Sequence, residues 1–276
     1  LAIANIKNSK YQTNVARSAI ELDANNEILS DIYDVYKEYV QEQMDILESQ
    51  DYAQSWAISE GKYLMQPLID DGYNNNRVEP INEDVLIPRP DTEILVEEVI
   101  KIARKINAKK ILDMCTGSGA IAVSLAKYLD NVEITAVDIS EKSLDVAKTN
   151  AKNNEVENKI TFIESNLFEN IVNEKYDIIV SNPPYIRKDV IKTLTKEVQK
   201  EPKIALDGGY DGLDFYRKIT HQSEEYLKFN GYLCFEIGYD QKKDVIKIIN
   251  DEKKFTGTYS KKDLCDNDRI IVTRLD

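Results

Sequence analysis

Beyond residue 88 the apolar side chains alternate between two spacings, and nothing else in the chain limits its fold so strongly. Short, almost wholly apolar runs, such as residues 110–114 and 176–181, are separated by longer stretches whose apolar residues fall three and four apart. Runs of the first kind read as strands covered on both faces, and the others as helices laid over them. The order predicts helix 92–106, starting at Asp91 and burying Leu95, Val99, Ile102 and Ile106, then strand 110–114, helix 118–129 and strand 132–137. Helix 141–153, strand 159–164, strand 176–181 and helices near 189–199 and 212–228 come next. Strand 231–237, helix 240–250 and a strand pair near 255–260 and 269–274 close the series. Such alternation makes a doubly wound α/β sheet, mostly parallel, with an antiparallel element at its C-terminal edge.

Residues 1–88 have another character. Ile28, Leu29, Ile32, Val35, Tyr36, Tyr39, Val40, Met44 and Leu47 recur at helical spacing, with Ser30 or Asp31 at the N-cap, and residues 14–23 and 52–65 read as shorter helices. From Gln66 to Pro80 turn formers dominate, including Asp70-Asp71-Gly72 and Asn74-Asn75-Asn76. The expected organisation is a helical N-terminal domain over 1–65, a linker or hairpin over 66–88 and the α/β domain over 89–276, which suits a chain of 276 residues.

Charge and composition then exclude several function classes. The chain carries 36 Lys/Arg against 49 Asp/Glu, a net −13, and residues 1–84 alone hold 6 Lys/Arg against 16 Asp/Glu. Neutralising phosphates supplies most nucleic-acid affinity, so no stable hold on nucleic acid is expected. The acidic N-terminal part is either a solvated face or a surface for a basic partner. No apolar run approaches the roughly 18–20 residues of a membrane span, and Leu1 to Lys7 is no signal peptide; without a starting Met, a few residues are expected to precede it. Cys115, Cys234 and Cys265 form no CxxC pair, which points to a reducing, cytoplasmic setting. With His221 as the single histidine, zinc sites and histidine-based triads fall away, and no metal site is expected.

Ligands of doubly wound sheets bind beyond the carboxyl ends of the strands. The first strand runs into Asp113-Met114-Cys115-Thr116-Gly117-Ser118-Gly119-Ala120, a glycine turn that brings a ligand close to backbone amides at a helix start. The second strand ends at Asp138, whose carboxylate can accept both hydroxyls of a ribose. Gly117-x-Gly119-x-x-Ala122 also fits a dinucleotide fingerprint. Asp113 weighs against that: a carboxylate beside the loop repels a pyrophosphate and suits S-adenosylmethionine, which brings an ammonium and a sulfonium instead.

The most specific signal is Ser181-Asn182-Pro183-Pro184-Tyr185, directly after the fourth strand of the series. A chance match to its last four residues in a chain of this size has a probability of about one in a thousand. Paired prolines fix φ and remove two amide donors, leaving carbonyls pointing rigidly at a ligand. Asn182 adds a side-chain acceptor, and two acceptors suit a planar –NH₂ group, with Tyr185 able to cover its flat face.

With these residues in view, the sequence resembles the HemK/PrmC family, class I S-adenosylmethionine-dependent methyltransferases that N5-methylate a glutamine of peptide-chain release factors. The resemblance runs from about Asn82 to Arg269 and includes Val85 to Glu93, Asp113 to Ala120, Ala136 to Ser140, Asn182 to Ile186, Glu201-Pro202, Ala205 to Gly209, Asp211 to Asp214 and Glu236 to Gly238. It implies a Rossmann-like, mostly parallel seven-stranded sheet plus a small helical N-terminal domain that helps to dock the release factor. It further implies that Thr116-Gly117-Ser118-Gly119 line the methionine moiety, Asp138 holds the ribose, Asn166 and Leu167 flank the adenine, and Asn182, Pro183, Pro184 and Tyr185 grip the glutamine amide. Asp113, Cys115 and Asn182 are also expected to bind the cofactor, Asp113 alternatively being a carboxylate satisfied by nearby backbone amides. The expected product is S-adenosylhomocysteine, the partner a release factor carrying Gly-Gly-Gln, and the protein a monomer. Because the Asn-Pro-Pro-Tyr box also occurs in enzymes that methylate amino groups of DNA and RNA bases, that activity is the alternative.

Other residues read as either structural or functional. His221 and Cys115 read as surface and packing residues, Arg89 as a partner contact or a salt bridge. Residues 208–212 read as a flexible or plain loop beside the site.

Overall fold

The computed structural model describes Arg89 and residues 91–194, 198, 201–263 and 266–276. The readings of helix 28–47, of the helical region 1–65 and of the linker 66–88 lie outside the described residues, as does Cys265.

Helix α1 (Thr92–Ile106) buries one face through Leu95, Val96, Val99 and Ile102 and ends at Asn107 in the left-handed conformation. Asp91 makes no side-chain cap; its carboxylate lies 3.3 Å from Arg269 instead. There follow β1 (Lys110–Met114), α2 (Ala120–Tyr128), β2 (Glu133–Asp138), α3 (Glu141–Asn153), β3 (Ile160–Glu164) and β4 (Tyr176–Ser181). Then come α4 (Lys203–Leu206), α5 (Asp214–Tyr226), β5 (Leu227–Glu236), α6 (Lys242–Asp251), β6 (Phe255–Lys262) and β7 (Asp268–Leu275). Where helix 189–199 is expected, the described residues hold a 3₁₀ turn at Ile191–Thr193, and Val198 is also 3₁₀. Strand β5 begins four residues earlier than the expected 231, because α5 passes straight into it through a bulged segment with Asn230 at φ 63°. Lys228-Phe229-Asn230-Gly231 has the composition of a turn, which is why the early start is not legible in sequence.

The seven strands form one sheet in the order β3-β2-β1-β4-β5-β7-β6, with β1 to β5 parallel and β7 antiparallel to both β5 and β6. Successive residues of each central strand enter opposite cores. Ile111, Ile134, Ile178 and Cys234 pack under α1 and α2, while Leu112, Ile179, Leu233 and Phe235 pack under α5 and α6. This period of two explains why the strands read as unbroken apolar runs. The chain runs outward from β1 toward β3, then returns to β4 on its other side, so the switch point lies between β1 and β4. Register aligns Met114 with both Val137 and Ser181, so the turns after β1, β2 and β4 leave the sheet side by side.

Candidate active site

The turn after β1 owes its shape to left-handed backbone at Cys115 (φ 62°), Gly117 (φ 56°) and Gly119 (φ 80°). Gly119 meets a second demand: a Cβ there would lie 2.9 Å from the Ala147 Cβ and 3.1 Å from its Cα, so only glycine lets α2 start this close to α3. Asp113 is fully buried beneath the turn, where one carboxylate oxygen accepts from the Thr116 hydroxyl (2.5 Å) and the Ala122 amide (3.1 Å). Its other oxygen has no partner among the described residues. Burial, opposed by those two hydrogen bonds, pushes its pKa up to about 7. Asp113 therefore does not line the cavity as the sequence implied; it braces the turn that does.

Asp138 does line the cavity. Its carboxylate accepts from the Gly117 amide (2.9 Å) and the Ser140 amide (3.0 Å), which ties the turns after β1 and β2 together and aligns the side chain. Burial raises its pKa against these bonds, and lone pairs remain for ligand hydroxyls. Beyond β3, Asn166 and Leu167 also line the cavity. Asn166 commits its –NH₂ to Glu169 (2.7 Å), leaving its carbonyl as an acceptor. Cys115 lines the cavity too, but burial first, then Asp138 and Asp113, raise its thiol pKa far enough to keep it protonated and unreactive.

After β4 the chain enters the Asn182-Pro183-Pro184-Tyr185 turn. The Ser181 hydroxyl donates to the Met114 carbonyl (2.6 Å), pinning this turn to the end of β1. Gln241 holds it from behind: its –NH₂ donates to the carbonyls of Tyr185 (2.9 Å) and Gly212 (3.1 Å), and its carbonyl accepts from the Gly238 amide (2.9 Å). Residues 207–209 brace it further, through Ile186 and through Gly208, where a Cβ would sit 2.7 Å from the Tyr185 Cα. Within the cavity Asn182 donates to the Thr92 hydroxyl (3.4 Å), which itself donates to the buried Glu236 carboxylate (2.7 Å). The Asn182 Oδ1 is buried and has no partner among the described residues.

Of the residues named from sequence, Cys115, Thr116, Gly117, Ser118, Asp138, Asn166, Leu167, Asn182 and Pro184 share this one cavity. Gly119, Pro183 and Tyr185 support its walls without lining it. Tyr185 packs against the core below, with burial and then Glu236 raising its pKa. The sequence reading missed Thr92, Phe215 and the wall formed by Pro202, Ile204 and Ala205. Proline just before α4 was a visible signal for that wall, but a four-residue helix has too little periodicity to read. Arg89 pairs with Glu201, and His221 lies at the surface 3.2 Å from Glu252. Asp263 and Asp91 flank Arg269 behind Glu236.

Asp138 is the one charged side chain among the described residues lining the cavity. With no lysine or arginine to meet a pyrophosphate, and with carboxylates at and beneath the turn, the cavity suits a cationic, phosphate-free nucleoside. S-Adenosylmethionine fits that description.

A seven-stranded sheet of this order, with such a cavity at its switch point, defines a methyltransferase of the Rossmann-like class I type. Residues 90–210 match the family model "Methyltransferase small domain". A crystallised methyltransferase from Pyrococcus furiosus shares the fold at a TM-score of 0.52 and 16% identity, over 76% of this chain and 96% of that one. The release factor glutamine methyltransferase of Clostridium botulinum is 44% identical over 216 residues, 77% of this chain and 75% of its own length. That of Fusobacterium nucleatum is 48% identical over 196 residues, 70% of this chain, and the match spans 55% of that relative's length. The chain belongs to the release factor glutamine methyltransferase family.

Proposed function

We propose that this protein transfers a methyl group to the side-chain amide nitrogen of a glutamine in a peptide-chain release factor, the glutamine of its Gly-Gly-Gln sequence. The observation that carries the reading is the Asn182 carbonyl, a buried acceptor without a partner among the described residues, in a cavity fit for a cationic nucleoside. S-Adenosylmethionine, when bound, supplies an electrophilic methyl group and leaves as S-adenosylhomocysteine. Asp138 would hold its ribose, Asn166 its adenine, and the turn from Cys115 to Ser118 its methionine end.

An amide nitrogen is a weak nucleophile because its lone pair is delocalised into the carbonyl. Here Asn182 Oδ1 would accept one of its hydrogens and help to aim the nitrogen at the methyl group. Positioning of this kind accounts for roughly 7–11 kcal/mol of a barrier. That acceptor would also face positive charge that develops on the nitrogen only during transfer, and so favour the transition state over the ground state. One hydrogen then leaves the nitrogen as a proton to water, the methylated amide being strongly acidic before that loss. No histidine is needed.

The acidic balance of the chain supports a protein substrate over RNA or DNA and agrees with a cytoplasmic enzyme of translation. The test is single-turnover transfer of labelled methyl to a release-factor fragment carrying Gly-Gly-Gln, beside one in which that Gln is replaced by Ala. Label on the first alone is the expected result. Label on both fragments, or on nucleic acid instead, would overturn the reading.

A further inference from the structure

Asn182 is an amide, and either of its two ends could face the cavity. Which one does decides whether it accepts hydrogens from a substrate –NH₂ or repels them. Asn182 follows the last residue of β4, and register sets Ser181 beside Phe235, so Glu236 stands at the neighbouring strand end. Glu236 is 1% exposed, and its carboxylate accepts from the Thr92 hydroxyl at 2.7 Å. An ionised carboxylate has nothing to donate, so the single Thr92 proton is committed to it. The Thr92 oxygen is then left as an acceptor, and only the –NH₂ end of Asn182 can face it, at 3.4 Å. The opposite orientation would set two acceptors against each other. Oδ1 is thereby left off Thr92, buried and with no partner among the described residues, on a residue that lines the cavity.

We propose that Thr92 and Glu236 are positioning residues, which lock the Asn182 amide with its carbonyl toward the substrate and so set the polarity of the acceptor. The lock rests on the glutamine-amide reading for its purpose, but its geometry belongs to the free enzyme. Three elements that are remote in sequence supply it: the first turn of α1, the end of β4 and the end of β5. The charged and titratable groups around Glu236 are Arg269, Asp91, Tyr185 and Tyr216. Burial raises the Glu236 pKa to about 7 against the Thr92 hydrogen bond and the Arg269 charge. Protonation gives the carboxyl a hydrogen to donate, Thr92 can then turn its own proton toward Asn182, and the lock reverses.

The variants Thr92→Val, Thr92→Ser and Glu236→Gln test this by single-turnover transfer to the Gly-Gly-Gln fragment, with S-adenosylhomocysteine affinity measured by calorimetry. Thr92→Val and Glu236→Gln should each transfer at least tenfold more slowly, while nucleoside affinity stays within about threefold. Returning the hydroxyl in Thr92→Ser should restore most of the rate. Wild-type turnover should fall as pH drops through about 7, and Glu236→Gln should lose that limb. In the free enzyme, the side-chain ¹⁵N–¹H resonances of Asn182, assigned by their absence in Asn182→Ala, should shift over the same pH range and stay still in Thr92→Val. Resonances that ignore pH in the wild type, undiminished transfer in Glu236→Gln, or a Thr92→Ser enzyme as slow as Thr92→Val would each overturn the lock. If the resonances behave as expected but the wild type methylates no glutamine fragment, the lock stands and the glutamine reading falls.

Discussion

Asp138 and Asn182 both end on strand termini in the same cavity, yet they should fail differently when changed. On the proposed reading Asp138 meets the nucleoside in ground and transition state alike, so Asp138→Ala should weaken binding by the ~1.5–3 kcal/mol typical of hydrogen bonds to a charged group. Calorimetry with S-adenosylhomocysteine checks this, and NAD should show no binding to the wild type. On the same reading Asn182 meets charge that grows during transfer, so Asn182→Ala should slow single-turnover transfer by roughly 10²-fold and leave nucleoside affinity little changed. Asn182→Asp keeps the size and an acceptor but puts a negative charge beside the sulfonium. It should bind S-adenosylmethionine at least as well as the wild type and still transfer poorly. Cys115, within the turn, has its thiol pKa raised by burial, which disfavours the thiolate.

At the scale of elements, two residues set how close the parts of the site can come. Gly119→Ala combines left-handed backbone, costing about 1–2 kcal/mol, with a Cβ pressed against Ala147, costing roughly 1–3 kcal/mol. Denaturant unfolding should show a loss of that order. Gln241 is 7% exposed and joins the segments after β4, before α5 and after β5. Gln241→Ala would leave two carbonyls and one amide unpaired, at ~1–3 kcal/mol for each that water cannot reach. The expected drop in melting temperature is about 2–4 °C per kcal/mol for a domain of this size. Turnover should fall as well, because the Asn-Pro-Pro-Tyr turn loses its support from behind. A variant with lowered stability and full turnover would show that the prolines hold the turn unaided.

For the whole molecule, buried carboxylates give stability an unusual pH response. Asp113 and Glu236 are both raised to about 7, mainly by burial, so the folded state takes up protons more readily than the unfolded chain, whose carboxylates titrate near 4. Their contribution to stability is fully present below the unfolded value and is lost as pH rises through about 7. Asp211 and Asp268 act in the opposite sense: Arg217 and Lys242 hold them low, and their contribution is lost as pH falls through their folded values. Melting temperature should therefore rise between pH 8 and about 5, then decline in stronger acid. Asp113→Asn should flatten the rising part. Turnover, which needs Glu236 ionised, should move against stability across neutral pH.

Periodicity alone marks the central strands and the helices over them, because burial on two faces leaves a local imprint on each segment. The ligand was read from a glycine turn with an acid just before it, an acid at the next strand end and an Asn-Pro-Pro-Tyr turn, each of which carries its chemistry in a few adjacent residues. The same adjacency misled at Asp113: spacing from the glycines cannot tell a carboxylate that faces a ligand from one that faces the core. Thr92 and Glu236 lie 144 residues apart and meet only through strand register and the docking of α1. Likewise, the insertion of β7 between β5 and β6 and the wall made by α4 follow from which surfaces pack together. What the sequence by itself determined is the set of elements and the chemistry at their ends, because backbone preference, side-chain period and functional groups are local. Which group faces the cavity, which lies behind it and which end of Asn182 is presented were decided by the tertiary structure, because hydrogen-bond polarity passes only between groups that the fold brings within about 3 Å.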